Sequence, residues 1–419
     1  MIERTYLNQE FYRAFFARQT VFLTGATGGL GGCLLYKLVT QIHTKKVFLL
    51  HRASKETTIA KLRNNLSTYI DSILESDRVT FIRGDLQVPG LDLSEQDLAM
   101  LQQETTLVIN SAADTSFKID ACESFQNNCL PALEFAKIAS SFPKLIKFVQ
   151  VSTVYANSFL PDGNIAEQIH LFGATDLDCE KELEQVFSER STPRTGDWLW
   201  PYAQAKYVME RLLVQRYPEL PLLIIRPSSI GPAIKDPFPH FGPDGSNPVE
   251  TFAILYLATN GGTKIWHSAK DSNSGTWILD EMPVDLVSNT CLLHISQGSQ
   301  GIVHAAAELY ISKTADQLFA SAIPHIPRDM RWEKPYFQWV TDRRVPPCTM
   351  ASIFGLRGQS WVFECGRSRG FKDVDGPLSL NIDGHDDQDY IRERVTRIIP
   401  TARVLKEKFA SKKRGQVNL

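Results

Sequence analysis

Near the start of this chain an apolar run breaks into glycines: Val21-Phe22-Leu23-Thr24-Gly25-Ala26-Thr27-Gly28-Gly29-Leu30-Gly31-Gly32, with Leu34, Leu35, Leu38 and Val39 following at helical spacing. A β-rich run, a glycine turn and an apolar helical period make a strand–turn–helix unit. The helix that opens there offers unpaired N–H groups and a partial positive charge, which suit a pyrophosphate. Gly25 allows the tight turn, Gly28 lets the backbone approach the phosphates, and Gly31 lets helix pack on strand. Thr24, Thr27, Gly29 and Leu30 complete the loop, so residues 24–31 are expected to hold a dinucleotide. An ordinary glycine loop would lack these flanks.

The rest of the first half repeats the alternation. Strand-like runs lie at 47–50, 78–82, 106–109, 147–151 and 222–225, with helical patterns such as 125–139 and 202–217 between them. This predicts an α/β fold, a doubly wound parallel sheet of the Rossmann type. Ligands of such sheets sit at the carboxyl ends of the strands, where the polar residues ending these runs converge. Phe11, Phe15 and Phe16 read as an amphipathic segment packing on that unit. After Pro227 the composition shifts, and Asp236-Pro237-Phe238-Pro239-His240-Phe241-Gly242-Pro243-Asp244-Gly245 can be neither helix nor central strand. It reads as a long loop near the active end, a lid. The expected organisation is a nucleotide-binding unit over 1–230, to which some later strands return. A smaller mixed α/β substrate part with the lid follows over 231–325. A short C-terminal region of brief helical patterns and two Trp-containing apolar runs closes the chain over 326–419.

Composition removes several classes. Forty-five basic against 47 acidic residues, a net charge of −2, argues against a nucleic-acid partner. The basic end, Lys406-Glu407-Lys408 to Lys412-Lys413-Arg414, reads as a solvated tail. Seven scattered cysteines without a C-x-x-C pair fit free thiols in a reducing compartment. Cys122 and Cys129 are expected as small core residues on one helix. The histidines show no metal-ligand spacing. No apolar run approaches the roughly 20 residues that span a bilayer. A cytoplasmic protein without a metal is the expectation.

Two clusters point to redox chemistry. The second strand ends in His51-Arg52-Ala53-Ser54-Lys55, with no carboxylate for a ribose 2′-hydroxyl, so Arg52 and Lys55 are expected to face the 2′-phosphate of NADPH. Asp85 and Leu86 end the third strand, placed for the adenine. Tyr202 and Lys206 stand at i and i+4 on one helix face. A neighbouring ammonium, together with a nicotinamide ribose, is expected to lower the phenol from its usual value near 10. The phenol then exchanges a proton with substrate. Thr153, at a strand end, is placed to hold the substrate oxygen with Tyr202. Asn128 either orders a water relay to Lys206 or is a plain capping or core amide.

The spacing Gly25-x-x-Gly28-x-x-Gly31 resembles that of extended short-chain dehydrogenase/reductases. From about residue 10 to 307 the chain further resembles the fatty acyl-CoA reductases and the related thioester reductase domains. The matching stretches are Arg83-Gly84-Asp85-Leu86, Asn110-Ser111-Ala112-Ala113-Asp114-Thr115-Ser116-Phe117, Val151-Ser152-Thr153-Val154-Tyr155-Ala156-Asn157 and Trp200-Pro201 before Lys206. Further along they are Ile225-Arg226-Pro227-Ser228-Ser229-Ile230-Gly231-Pro232, Asp236-Pro237-Phe238-Pro239 and Met282-Pro283-Val284-Asp285. The resemblance implies that the stretch with Ser111, Ala112 and Ala113 lies beside the nicotinamide and that Pro227, Ser228 and Ile230 also bind the coenzyme. It also implies reduction of an acyl thioester, on coenzyme A or a carrier-protein arm, to aldehyde or on to alcohol. Thr153 and Tyr202 would hold the oxyanion, and Lys206 would tune the phenol and hold the ribose. Gly29 departs from the bulkier apolar residue common in that family, and the stretch after Ile326 is shorter than its C-terminal domain. Two other classes stay open: a ketone or aldehyde reductase, isomerase or cyclase on the same fold, and a coenzyme-sensing regulator without turnover.

Overall fold

Seven parallel strands form the central sheet: β1 Thr20–Thr24, β2 Lys46–His51, β3 Val79–Arg83, β4 Leu107–Asn110, β5 Lys147–Val151, β6 Leu222–Pro227 and β7 Gly301–Ala305. The computed structural model describes residues 8–116, 119–173, 177–243, 245–259, 264–331 and 337–417. Phe117 and Asp244 of the stretches singled out above lie outside the described residues, as do the side chains of Lys412, Lys413 and Arg414. Spatial order is β7-β6-β5-β4-β1-β2-β3. β1, β4 and β5 are buried along their whole length, which is why they read as continuous apolar runs. β7 completes the sheet from far along the chain.

Strand order reverses between β1 and β4, so their carboxyl ends open a crevice there. Register aligns the strand ends across it: Thr24 pairs with Asn110, and Asn110 with Gln150. Their side chains form a ladder. Thr24 Oγ1 donates to Asn110 Oδ1 (2.7 Å), and Asn110 Nδ2 donates to Gln150 Oε1 (2.9 Å). Buried polar groups joined in this way are satisfied and hold the ends of three strands level.

Two helical expectations change. The pattern over 125–139 is two helices, Ala121–Asn128 and Leu130–Ala139, because Pro131 starts a new helix and cannot continue the old one. The final region holds, beside short helices such as Thr349–Ile353, one long helix, Asp387–Val417. Its interior Pro400 reads as a stop, yet Tyr390, Ile391, Val395, Ile398, Ile399 and Ala402 form a buried stripe that carries the helix across. Burial of that stripe outweighs the local cost of proline.

Beyond the sheet, Ser229–Gly231 pairs with Glu281–Pro283, Lys264–His267 with Phe337–Val340, and Gly163–Ile165 with Trp361–Phe363, all parallel. The Pro248–Ala258, Ala315–Ala322 and C-terminal helices enclose a separate apolar cluster around Leu257, Met330 and Val395. The proline-rich loop after β6 is seated on the glycine-turn helix. Lys37 Nζ bonds Asp236 Oδ2 at 2.9 Å, and the Phe241 ring lies close over Gly32. Tyr12 and Phe16 bury the N-terminal Gln9–Phe16 helix against the core. Cys122 and Cys129 are buried, and all seven cysteines are free thiols. Among the described residues no helix is long and apolar enough to cross a membrane.

Candidate active site

The glycine turn is built as its sequence requires. Gly25 adopts φ +74°, a conformation open to glycine, and its backbone passes so close to Ala112 that an added Cβ would come within 2.7 Å of the Ala112 nitrogen. At Gly31 a Cβ would lie 2.2 Å from Gly25 O. Helix Gly29–Tyr36 begins at Gly28, and no side chain caps its first turn. A turn with no room for side chains, leading into an uncapped helix start, fits a pyrophosphate. Across the crevice Ser111 Oγ bonds Thr24 O at 2.6 Å, and Ala112 N donates to Thr24 Oγ1 at 3.3 Å. Thr24 therefore works beneath the loop, and Thr27 O is held by Asn65 Nδ2 at 2.6 Å.

A cavity of about 320 Å³ opens on this turn. Of the expected residues it is lined by Gly25, Gly28, Gly29, Leu30, Gly31, Ser111, Ala113, Thr153, Tyr202, Pro227, Ser228 and Ile230. Arg52, Lys55, Asp85 and Leu86 stand apart from it at the ends of β2 and β3. Arg52 is exposed and has no ion-pair partner among the described residues. Lys55 Nζ rests 5.2 Å over the Phe81 ring, and Asp85 Oδ1 accepts from Gln87 N at 3.0 Å within its own turn.

Tyr202 and Lys206 sit in the first turns of helix Pro201–Arg216, which Pro201 opens. A buried ion pair ties that helix to β6: Arg226 Nε donates to Glu210 Oε1 at 2.9 Å. Lys206 is almost wholly buried, with Nζ 3.1 Å from Val151 O and 5.7 Å from the Tyr202 ring centre. The same carbonyl accepts from Gln150 Nε2 at 2.8 Å, so the polar ladder from Thr24 ends at the lysine. The expected lowering of the phenol is not what the chain alone produces. Burial, then the Glu210 charge, raises Tyr202, and burial draws Lys206 down to about 8. The Tyr202 hydroxyl is therefore a proton donor at neutral pH.

Thr153 Oγ1 accepts from Tyr155 N at 3.2 Å and lies 3.5 Å from Pro227 O, which fixes its orientation at the end of β5. Beside it Ser152 Oγ is buried, without a hydrogen-bond partner among the described residues, on the cavity wall. Asn128 is buried at the end of its helix. Its Oδ1 accepts from Asp114 N at 3.0 Å, and its Nδ2 donates to Asp114 O at 3.0 Å and Ser124 O at 3.1 Å. It holds the loop after β4 and does not line the cavity. Sequence reasoning missed the aromatic walls: Tyr155, Trp200, Phe252, Trp266, Trp277 and Phe354. Tyr155, two residues after Thr153, and Trp200, just before Pro201, were usable signals; the others come from remote elements. Gly29 faces the loop above, where a Cβ would rest in ordinary van der Waals contact with Ser246 Oγ at 3.4 Å and Pro243 Cδ at 3.5 Å.

Sheet order, glycine turn and the Tyr202–Lys206 helix define a nicotinamide-nucleotide-binding Rossmann protein of the extended short-chain dehydrogenase/reductase build. The sequence profile of the male sterility protein family, an NAD-binding unit, matches residues 23–291, more than half of the chain, and the chain belongs to that family. It is 28% identical to fatty acyl-CoA reductase 2 of Mus musculus over 308 residues, 70% of this chain and 56% of that protein. It is 26% identical to the alcohol-forming fatty acyl-CoA reductase of Simmondsia chinensis over 378 residues, 79% of this chain and 74% of that one. The chain thus spans little more than half the length of the mouse relative. Among solved structures it is similar to the terminal R domain of the myxalamid PKS-NRPS pathway, with TM-score 0.64 and 19% identity, over 91% of both chains. A reductase domain of a Mycobacterium tuberculosis nonribosomal peptide synthetase superposes with TM-score 0.60 and 18% identity, over 96% of this chain and 97% of that one. The likeness to both shows the fold.

Proposed function

We propose that this chain is an NADPH-dependent reductase of acyl thioesters, carried on coenzyme A or on a carrier-protein arm. The observation that carries the proposal is the placing of Thr153, Tyr202 and the glycine turn on one cavity whose remaining walls are largely apolar and aromatic. The names of the relatives support the substrate class. NADPH in place of NADH is supported by the second strand, which ends without a carboxylate and is followed by the exposed Arg52.

The residues divide the work. The glycine turn and helix start would hold the pyrophosphate, Ser111 and Ala113 would flank the ring, and Arg52 would meet the 2′-phosphate. When bound, the coenzyme would supply hydride to the thioester carbon; collapse of the resulting hemithioacetal would return its hydroxyl proton to the Tyr202 phenolate while the C–S electrons leave on sulfur, which takes a proton from solvent, giving aldehyde and free thiol. Thr153 Oγ1 and the Tyr202 hydroxyl donate to the carbonyl oxygen as it gains charge, the arrangement that stabilises an oxyanion. Tyr202 then gives its proton to that oxygen. Lys206, anchored on Val151 O, stands behind the ring and keeps the phenolate from being an isolated buried charge. Ser152 Oγ offers a further donor beside Thr153.

Purified protein mixed with NADPH or NADH and a panel of acyl-CoA and carrier-bound thioesters tests this, with aldehyde, alcohol and free thiol identified by mass spectrometry. Thiol release coupled to NADPH oxidation is expected. Tyr202→Phe should lower turnover by about 10²–10⁴-fold with coenzyme affinity kept. Wild-type turnover in that variant, or coenzyme oxidation with no thiol released, would overturn the reading.

A further inference from the structure

The helix that carries the reacting pair bears a third charge on the same face. Tyr202, Lys206 and Glu210 stand at i, i+4 and i+8, each one turn beyond the last. The Glu210 side chain is 1% exposed and is held by the fully buried Arg226 of β6. Nε of that guanidinium donates to Glu210 Oε1 at 2.9 Å, Nη2 donates to Oε2, and Nη1 donates to Gln168 O at 2.9 Å. We infer that Glu210, kept ionised by Arg226, is a positioning residue for the reaction: its charge holds Lys206 cationic behind the Tyr202 ring. The inference deepens the thioester-reductase reading and rests on it for the chemistry that Lys206 serves.

A lysine at this depth needs an anion. The hydrogen bond that anchors Lys206 Nζ goes to Val151 O, a neutral carbonyl. A buried ammonium surrounded by dipoles alone gives up its proton. Burial draws this one down to about 8, and the Glu210 carboxylate is the chief influence pulling the other way. One helical turn, about 6 Å, separates the two residues, close enough for the charge to act through space. A fork that takes both carboxylate oxygens favours their ionised form. Among the described residues, the other groups facing Lys206 from packed elements offer no free anion. Burial pushes the Cys129 thiol, between helices Ala121–Asn128 and Leu130–Ala139, up to about 12, and raises Tyr155 after β5. On helix Cys179–Glu189 the Cys179 thiol is likewise pushed up to about 12. Glu182 of that helix accepts from Thr192 Oγ1 and Gln204 Nε2, both at 2.6 Å, and Glu180 is paired with Arg216. Two buried cations and one anion leave a single net positive charge, which a Tyr202 phenolate cancels once its proton has gone to the substrate oxygen.

The test follows the pH at which Lys206 loses its charge, read in two ways: NADPH affinity by fluorescence titration, and kcat/KM for thioester reduction. Wild type should weaken in both as pH rises through about 8, and Lys206→Met should lack that limb in binding. Glu210→Gln keeps an acceptor for Arg226 and removes the charge. It should bring the limb down by about one pH unit, a tenfold loss of proton affinity at Lys206. That substitution strands the Arg226 cation, so its unfolding midpoint should fall. Combining Glu210→Gln with Arg226→Gln removes both charges; the midpoint should recover part of the loss while the limb stays down. A wild type without the limb, or a limb unmoved in both variants, overturns the inference. So does a limb that returns to the wild-type pH in the double variant as stability returns, which would leave the pair a strut between helix and sheet. A binding limb that shifts as stated, with no thioester reduced by wild type, leaves the charge role standing and removes the reductase reading.

Discussion

Burial sets the protonation of the reacting pair more strongly than their mutual charge does. Tyr202 is raised and Lys206 is lowered to about 8, each because its charged form is desolvated. The i, i+4 spacing that places the pair was legible in the sequence; the direction of the phenol shift was not, because burial is a tertiary property. The same cause governs Asp280, which lies behind Ser228 and whose Oδ1 accepts from Ala307 N at 2.8 Å. Burial raises this carboxyl to about 6. Its unfolded value is near 3.9, so between about pH 4 and 6 the folded chain holds a proton that the unfolded chain has released. Stability therefore falls as pH rises through that window, and the cost is complete above it. Asp280→Asn keeps the acceptor and removes the charge. It should gain up to about 3 kcal/mol at pH 7.5 and close to nothing near pH 4, read from urea unfolding of variant and wild type at both values. An equal effect at the two pH values would show that charge burial is not the cause.

At the scale of elements, the strands were legible because a sheet covered on both faces leaves unbroken apolar runs, and the glycine turn because its constraint is local. The turn predicts its own hierarchy of damage. At Gly31 an added methyl would stand 2.2 Å from Gly25 O, and at Gly28 it would stand 3.3 Å from the same atom. Backbone on both sides of the first contact cannot give way, whereas a few tenths of an ångström relieve the second. Gly31→Ala should weaken coenzyme binding by more than tenfold and lower the unfolding midpoint by several degrees. Gly28→Ala should lose less on both counts. Coenzyme titration and thermal unfolding of the two variants check the order, and a reversed order would mean that helix packing on β1 does not govern the turn. The break at Cys129 and the continuous C-terminal helix were illegible for one reason. A proline marks a boundary in the first case and is overridden by a buried stripe in the second, and only packing partners distinguish them.

Across the whole molecule, the second apolar layer was the least legible part, because its contacts join residues from about 65 to more than a hundred positions apart. Arg394 is its clasp. It reaches from the C-terminal helix to Glu281, in the strand beside Ser229–Gly231, and to Glu250 on helix Pro248–Ala258, with its guanidinium also 5.3 Å over the Tyr390 ring. Tyr390 in turn donates to Pro232 O at 2.6 Å. Removing the cation leaves two poorly solvated carboxylates facing each other, a change that costs about 3–5 kcal/mol where a buried pair is broken. Arg392, two positions earlier, pairs with Asp389 at the surface, where such bonds contribute about 0.5 kcal/mol. Arg394→Met should therefore destabilise several kilocalories per mole more than Arg392→Met in urea unfolding. It should also open the chain after residue 387 to limited proteolysis while the sheet, with its separate core, stays protected. Equal effects of the two substitutions, or cleavage within the sheet first, would mean that the C-terminal helix is held by its apolar stripe alone.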